Sequence, residues 1–306
     1  MNTSYVVTSY NKASFLDQTL SSIEAERAQT GGEIVIVDDG STDGSQDILA
    51  KFKSNNPDTK IIAQENAGVV SATNTGYLHS KCNFIRFCDA DDILCRGSSR
   101  ILLLALTSSN SGLVYGRHET YHAKPGKTAV AAEHCTPKVL ADPLKRALKK
   151  NLFSPSSTIL TRAAASRIFP LPEKFRTSQD YMIGLRACFC CQIAEIEETL
   201  SVGPEGGEDR LSSDKARMYG ETALFVSEEV SKNLDTWEPA DACYALKRNA
   251  GRAVLWSRRH HQGLRKRLRL HYLKHSARLH SKRSAAEALA WIARQIYSIP
   301  CGSGRS

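Results

Sequence analysis

Carboxylates carry most of the chemistry this chain can offer, and their spacing says where that chemistry would be done. Asp38-Asp39-Gly40-Ser41 follows the apolar run Ile34-Val35-Ile36-Val37, and Asp89-Ala90-Asp91-Asp92 follows Phe84-Ile85-Arg86-Phe87-Cys88. Residues two apart at the end of a strand project to the same side. Asp89 and Asp91 can therefore share one hard divalent cation, leaving its other positions to waters and phosphate oxygens. A carboxylate at 38 or 39 can accept from the ring N–H of a base or from sugar hydroxyls, and Gly40 lets a ligand approach the backbone closely. Thr8-Ser9-Tyr10-Asn11 and Asn66-Ala67-Gly68 add small and polar groups of the same kind. Each element also has a structural explanation, because acids in loops cap helices and make Asx turns.

The elements that must position these residues alternate. Apolar runs predict strands over residues 5–8, 34–37, 61–62 and 84–88. Between them Leu16, Leu20 and Ile23 recur at helical spacing, 45–52 reads as a helix introduced by an Asp43/Gln46 capping pattern, and 69–79 reads as a third helix. Such alternation implies a mostly parallel sheet covered on both faces. In open sheets of that kind ligands bind at the carboxyl ends of the strands, where both acidic clusters fall. Beyond the second cluster the pattern predicts a helix over 98–106 capped by Ser98 or Ser99. Strands follow over 113–122 and 128–132, joined by the turn Lys124-Pro125-Gly126-Lys127. A basic helix is expected over 142–151, a strand over 156–160, a helix over 179–191 and a strand over 193–202. From about 214 onward the pattern is helical.

The order and spacing of these motifs closely resemble the nucleotide-sugar half of the inverting family 2 glycosyltransferases with the A-type (GT-A) fold. The resemblance covers about residues 4–215. It implies an α/β, Rossmann-like, mostly parallel central sheet flanked by helices, with a helical C-terminal extension. The expected division is a catalytic domain over 1–215, with a nucleotide-binding half (1–97) and an acceptor half (98–215), followed by a basic helical region over 216–306.

By that resemblance Thr8, Ser9, Tyr10 and Asn11 line the nucleoside pocket, with Thr8 standing where the family usually has proline. Asp39 takes the base and Asp38 supports it. Asn66, Gly68 and Asn74 belong to the same donor site. Asp89, Ala90 and Asp91 bind the nucleotide-sugar, Asp91 contacting Mn2+ or Mg2+ directly and Asp89 facing the ribose or a metal-bound water, and Asp92 orients the loop. Thr73 stands where the family often has arginine, which leaves a basic contact to the diphosphate to Lys12 or Arg86. Inverting transfer needs a general base for the acceptor hydroxyl and no covalent nucleophile. Asp180 occupies the family's base position, with Gln179 in place of the usual glutamate. Its structural explanation is an acid in the first turn of a helix, favoured by the dipole.

Composition narrows the rest. The 306 residues, 41% of them apolar, are enough for one large α/β domain and an appendage. No run reaches the roughly 18 apolar residues of a membrane span. The short polar lead before residue 5 has no signal-peptide pattern, so the expectation is a cytoplasmic protein. Nine cysteines are scattered without a disulfide framework, and Cys188 and Cys191 form a lone C-x-x-C read as packing. Of the net +9, residues 247–306 hold fifteen Lys or Arg against the single acid Glu287. Leu264, Leu268 and Tyr272 share a helical face there. The segment 258–283 fits either a solvated helix or peripheral contact with an anionic membrane at the inner face of the cytoplasmic membrane. Aromatic interleaving is too sparse for a nucleic-acid module.

The expected activity is metal-dependent transfer from a nucleotide-sugar, a UDP-sugar first, to a glycan or glycolipid hydroxyl in cell-surface polysaccharide or lipopolysaccharide synthesis. The alternatives are a catalytically inactive nucleotide-sugar-binding protein and a sugar-nucleotide pyrophosphorylase. The latter calls for a Gly-rich, Arg-containing loop where Thr8-Ser9-Tyr10-Asn11-Lys12 stands. A processive synthase is disfavoured by the lack of a Q-x-x-R-W pattern.

Overall fold

Runs of Val, Ile and Tyr buried on both faces make the centre of the sheet, as a parallel sheet requires. The computed structural model describes residues 2–121, 134–205 and most of 215–249. Within it β1 (Thr3–Ser9), β2 (Gly32–Asp38), β3 (Lys60–Ala63) and β4 (Phe84–Asp89) are parallel, in the spatial order β3-β2-β1-β4. Helices α1 (Ala13–Thr30), α2 (Ser45–Asn55) and α3 (Val69–His79) make the crossovers. Leu16, Leu20 and Ile23 of α1 pack with Tyr5, Val7, Ile34 and Ile36, so the helical spacing in the sequence is the face that meets the sheet. The strand order reverses at β1, which opens a crevice at the carboxyl ends of β1, β2 and β4.

The same sheet continues through β8 (Thr158–Thr161), β6 (Leu113–Tyr121), β9 (Ile193–Pro204) and β5 (Ile93–Leu94), with β7 (Lys138–Val139) beside β9. β8 runs antiparallel to both β4 and β6, whereas β6 and β9 are parallel. Helices α4 (Ser98–Ser109), α5 (Pro143–Lys149), α6 (Arg162–Ile168) and α7 (Gln179–Cys190) complete this part, with a 3-10 turn over Pro155–Ser157. The chain divides into two compact units, Met1–Gly207 and Glu208–Ser306. In the second, α8 (Lys215–Lys232) buries Ala223, Phe225, Val226 and Val230. The expected strand over 128–132 and the basic segment 258–283 lie outside the described residues.

Several local expectations are corrected. Helix α2 is capped by Gly44, in the left-handed region at φ 89°, and Asp43 instead accepts from the amide and hydroxyl of Ser45 and from Ala13 N. Helix α4 starts after Gly97 at φ 81°, without a serine cap. Ser98 and Ser99 turn inward, and the carboxylate of Glu26 on α1 accepts from Gly97 N (2.6 Å) and Ser99 N (2.7 Å). A side chain from another helix thus satisfies the first-turn amides of α4.

That carboxylate faces Arg86, 3.8 Å away and 0% exposed in the middle of β4. Arg86 also donates to Ser98 Oγ (2.8 Å), Ser99 Oγ (2.6 Å), Ser156 O (2.7 Å) and Leu200 O (3.2 Å). It is fully committed to joining β4, α4, β9 and the 3-10 turn, so it cannot be the basic contact to a diphosphate. Replacing Arg86 with Met strands a buried Glu26 carboxylate, which should cost about 3–5 kcal/mol. The Arg86→Met/Glu26→Gln pair should recover part of that loss. Urea unfolding of the two variants checks this, and a single variant within about 1 kcal/mol of wild type would contradict the assignment.

Candidate active site

Two loops at the carboxyl ends of β1 and β2 are laced together before any ligand enters. Asn11, held at φ 51°, donates its amide to Ser41 Oγ (2.9 Å) and accepts Thr42 N on Oδ1 (2.8 Å). Lys12 N reaches Ser45 Oγ (3.2 Å), and Asp39 N donates to Ser9 O (2.8 Å). The buried carboxylate of Asp38 accepts Ser41 Oγ at 2.5 Å and stays inside the loop. Among the described residues Ser9 Oγ, buried at the end of β1, has no hydrogen-bond partner, Thr8 pairs in register with Asp89, and Tyr10 is 46% exposed beside them.

Asp39 organises the next loop. Its Oδ1 accepts from Gln64 Nε2 (2.8 Å) and Ala67 N (2.9 Å), and its Oδ2 from Gly68 N (2.8 Å). A carboxylate can accept about four hydrogen bonds, so one position remains for a ligand donor. Gly68 sits at φ 91°, and a Cβ there would meet Arg176 Cβ at 3.0 Å, so the position calls for glycine. Arg176 grips the loop from the other half of the sheet, donating to Asn66 O (3.1 Å) and to Asn66 Oδ1. Sequence reasoning gave no role to Gln64, a polar residue in no motif, or to Arg176, which stands in the stretch leading to Asp180. The side-chain amide of Asn74 donates to Leu171 O (2.8 Å) and Glu173 Oε1 (3.0 Å) and accepts Leu171 N (2.8 Å), so it ties α3 to the segment leading into α7.

The acidic loop after β4 is equally constrained. Asp89 N donates to Ser156 Oγ (3.1 Å), Asp92 N to Asp89 O (3.1 Å), and Thr19 Oγ1 to the carbonyl of buried Ala90 (3.0 Å). Asp92 turns toward β6 and β9, 3.7 Å from His118 Nδ1, and a Cβ on Gly203 would lie 2.2 Å from its Oδ1. Asp91 Oδ2 receives Lys12 Nζ at 2.8 Å. Burial raises the Asp89 carboxyl well above the usual range, and the charges of Asp92, Asp91 and Asp180 push it further. Asp180 is therefore close enough for its charge to be felt at Asp89.

Asp180 reaches this place because Ser178, at φ 64°, kinks the chain directly before α7. Its Oδ1 accepts Tyr181 N (2.8 Å) and its Oδ2 accepts Asn151 Nδ2 (2.5 Å). Burial raises its carboxyl above the ordinary value even though those two bonds oppose the shift. Asp180 and Asp89 each keep some exposed surface, but dense surroundings make lost hydration the dominant effect.

Among the described residues no three His, Cys, Asp or Glu side chains converge to enclose an ion. The donor chemistry nevertheless fits a hard cation held in part by a ligand. Asp89 and Asp91 offer oxygens, the cluster carries excess negative charge, and phosphate oxygens and waters would complete the shell. The described cysteines are free thiols. Cys188 and Cys191 bond to the backbone carbonyls of Gly184 and Ala187.

Residues 4–169 match the family described as glycosyl transferase family 2. An uncharacterized glycosyltransferase of Nostoc sp. is 31% identical over 208 residues, which is 66% of this chain and 64% of that protein. The chain thus spans just under two thirds of that relative's length. Among solved structures, Staphylococcus aureus TarS 1-349 in complex with UDP-GlcNAc superposes with a TM-score of 0.70 at 18% identity, covering 97% of this chain and 92% of that one. A mannosyltransferase of Pyrobaculum calidifontis in complex with GDP-Man and Mn2+ gives a TM-score of 0.57 at 14% identity, covering 97% and 87%. At these identities the likeness speaks for the fold, which is the expected GT-A architecture.

Asp89 yields a prediction with a definite sign. A folded-state carboxyl raised above its unfolded value of about 3.9 is neutral in both states at low pH and is forced to ionise among like charges as pH climbs. In EDTA, Asp89→Asn should match wild type in Tm near pH 3, below the unfolded-state value of about 3.9. It should exceed wild type by roughly 3 °C or more at pH 8. A Tm that falls at pH 8 on this substitution would show that Asp89 is not under charge strain.

Proposed function

The chain belongs to glycosyl transferase family 2, and on that footing we propose that it is an inverting, metal-dependent glycosyltransferase. It moves a sugar from a nucleotide-sugar, a UDP-sugar first, to a hydroxyl of a glycan or glycolipid in cell-surface polysaccharide or lipopolysaccharide synthesis. One observation carries the reading: an Asp39-held loop, the Asp89/Asp91 pair and Asp180 meet at the carboxyl ends of β1, β2 and β4. The donor complexes of TarS and the mannosyltransferase lend support by carrying a nucleotide-sugar on the same architecture.

In this reading the pocket of Ser9, Tyr10, Asn11 and Asp39 binds the nucleoside, and Asp39 uses its remaining acceptor position for a base or ribose donor. Ser9 Oγ finds in the ligand the partner it lacks in the protein. Asp91 and Asp89 would hold Mn2+ or Mg2+, which when bound supplies Lewis-acid stabilisation for the departing diphosphate. Asp180 takes the acceptor's proton. Its oxygens are fixed by Tyr181 N and Asn151 Nδ2, and its raised carboxyl brings a weak base closer to working pH. Among the described residues no helix is long and apolar enough to cross a membrane. The arginines and lysines of 258–283 favour peripheral contact with an anionic membrane by the cytoplasmic enzyme.

Thermal-shift screening against UDP- and GDP-sugars with and without Mn2+ tests the donor. UDP-sugars should stabilise the protein in a Mn2+-dependent way, and stabilisation by GDP-sugars alone would overturn the uridine assignment. Asp91→Ala should lose Mn2+-dependent turnover. Asp180→Asn should keep donor binding while kcat falls on the order of 10²–10⁴-fold. Full turnover in either variant contradicts the corresponding role.

A further inference from the structure

Lys12 is rooted by its backbone, and its tip is held by a single ion pair. Its backbone forms the start of α1, with its carbonyl accepting from Phe15 N (2.9 Å) and Leu16 N (3.0 Å) and its amide donating to Ser45 Oγ (3.2 Å). The side chain crosses from there to the acidic loop and places Nζ 2.8 Å from Asp91 Oδ2, with 21% of the lysine side chain and 9% of the aspartate still exposed. The target is not mobile either, since Ala90 O is held by Thr19 and Asp92 N by Asp89 O. The four-carbon stem is therefore the adjustable part of this contact. Lysine suits that task, being a compact point charge with no fixed geometry, unlike the planar guanidinium of arginine.

The neighbouring basic residues are engaged in other ways. Arg86 is enclosed between Glu26, Ser98, Ser99 and Ser156, and Arg176 bonds Asn66. Lys12 is thus a cation standing on the carboxylate that the proposed function gives to a divalent ion. Two cations cannot both use Asp91 Oδ2 at contact distance without repelling each other, so arrival of one weakens the hold of the other. A displaced ammonium has a compensating partner only if negative charge arrives with the metal, and a diphosphate brings it.

We propose that Lys12 is an exchangeable counter-ion. It neutralises Asp91 while no divalent ion is bound, and it turns onto the diphosphate oxygens of the donor once the ion takes Asp91. This rests on the metal-dependent reading above and adds a residue that makes metal and donor bind together. A metal alone must displace Lys12 without reward, and a diphosphate alone can draw Lys12 away from Asp91. With both present every charge is paired. Coupling of this kind is reciprocal and commonly amounts to about 5–150-fold in affinity.

The test uses the full chain and two binding measurements free of turnover: Mn2+ affinity by electron paramagnetic resonance without nucleotide, and UDP affinity by calorimetry in EDTA, with GDP alongside. In Lys12→Gln, Mn2+ alone should bind at least ~5-fold tighter, and the diphosphate alone at least ~5-fold weaker. Lys12→Arg, which keeps the charge, should shift both affinities less than Lys12→Gln does. These opposite movements are a signature that mere loosening of the loop would not give, because loosening weakens both. Equal Mn2+ affinity in wild type and Lys12→Gln, or a change of both affinities in one direction, overturns the exchange and leaves the metal-dependent reading standing. Failure of wild type and variants alike to bind Mn2+, with or without nucleotide, removes that reading and this inference with it.

Discussion

Like charges gathered at one end of a sheet are the constraint that the rest of this structure answers. Asp38 and Asp39 lie at the end of β2, Asp89, Asp91 and Asp92 at the end of β4 and just beyond it, and the charge of Asp180 is felt at Asp89. Left alone, such a cluster would protonate or repel itself open. The fold handles the acids one by one. Asp38 is enclosed by Ser41, Asp39 by two backbone amides and Gln64, and Asp92 faces His118. Asp91 takes the ammonium of Lys12. Asp89 is left under strain, its carboxyl raised by burial and by its neighbours. Excess negative charge of this kind is relieved by a cation.

The scaffold around the cluster is built from cross-connections that reach over long sequence distances. Arg86 and Glu26 fasten β4, α1 and α4 at a buried point behind the acidic loop. Asn74 fastens α3 to Leu171 and Glu173, and Arg176 fastens the loop over Asp39 to the approach of α7. Two of these three ties come from the segment that ends at Asp180. The loop over Asp39 and the start of α7 are therefore set relative to each other by side-chain hydrogen bonds, not by the sheet alone. Preorganisation of this kind would serve the general-base role proposed for Asp180.

Legibility in the sequence follows the range of the interaction involved. Parallel strands alternating with helices are local and periodic, so β1 to β4 and α1 to α3 are readable from apolar runs, as is the placement of acids at strand ends. Elements of two residues, β5 and β7, carry no period at all. Helix α6 has seven residues with a Thr161 cap, a signal too short to separate from the adjoining strand. Arginine inside an apolar run looks like a ligand residue until its partners on α1, α4 and β9 are seen, and they lie 12 to 114 positions away. Ser98 and Ser99 read as caps because capping is a local rule, and Glu26 overrides it from another helix. Asn74 likewise sits in a family motif while its bonds go 97 positions onward to the chain that positions α7.

Asp89 and Asp91 are proposed to hold a divalent ion against the diphosphate of a donor bound beside Asp39. Crystals grown with Mn2+ and UDP, read at the manganese absorption edge, test this. One anomalous peak is expected within coordination distance of Asp91 and of a phosphate oxygen, with the uracil against Asp39. An anomalous peak elsewhere, or ordered UDP lying away from the ends of β1, β2 and β4, would contradict it.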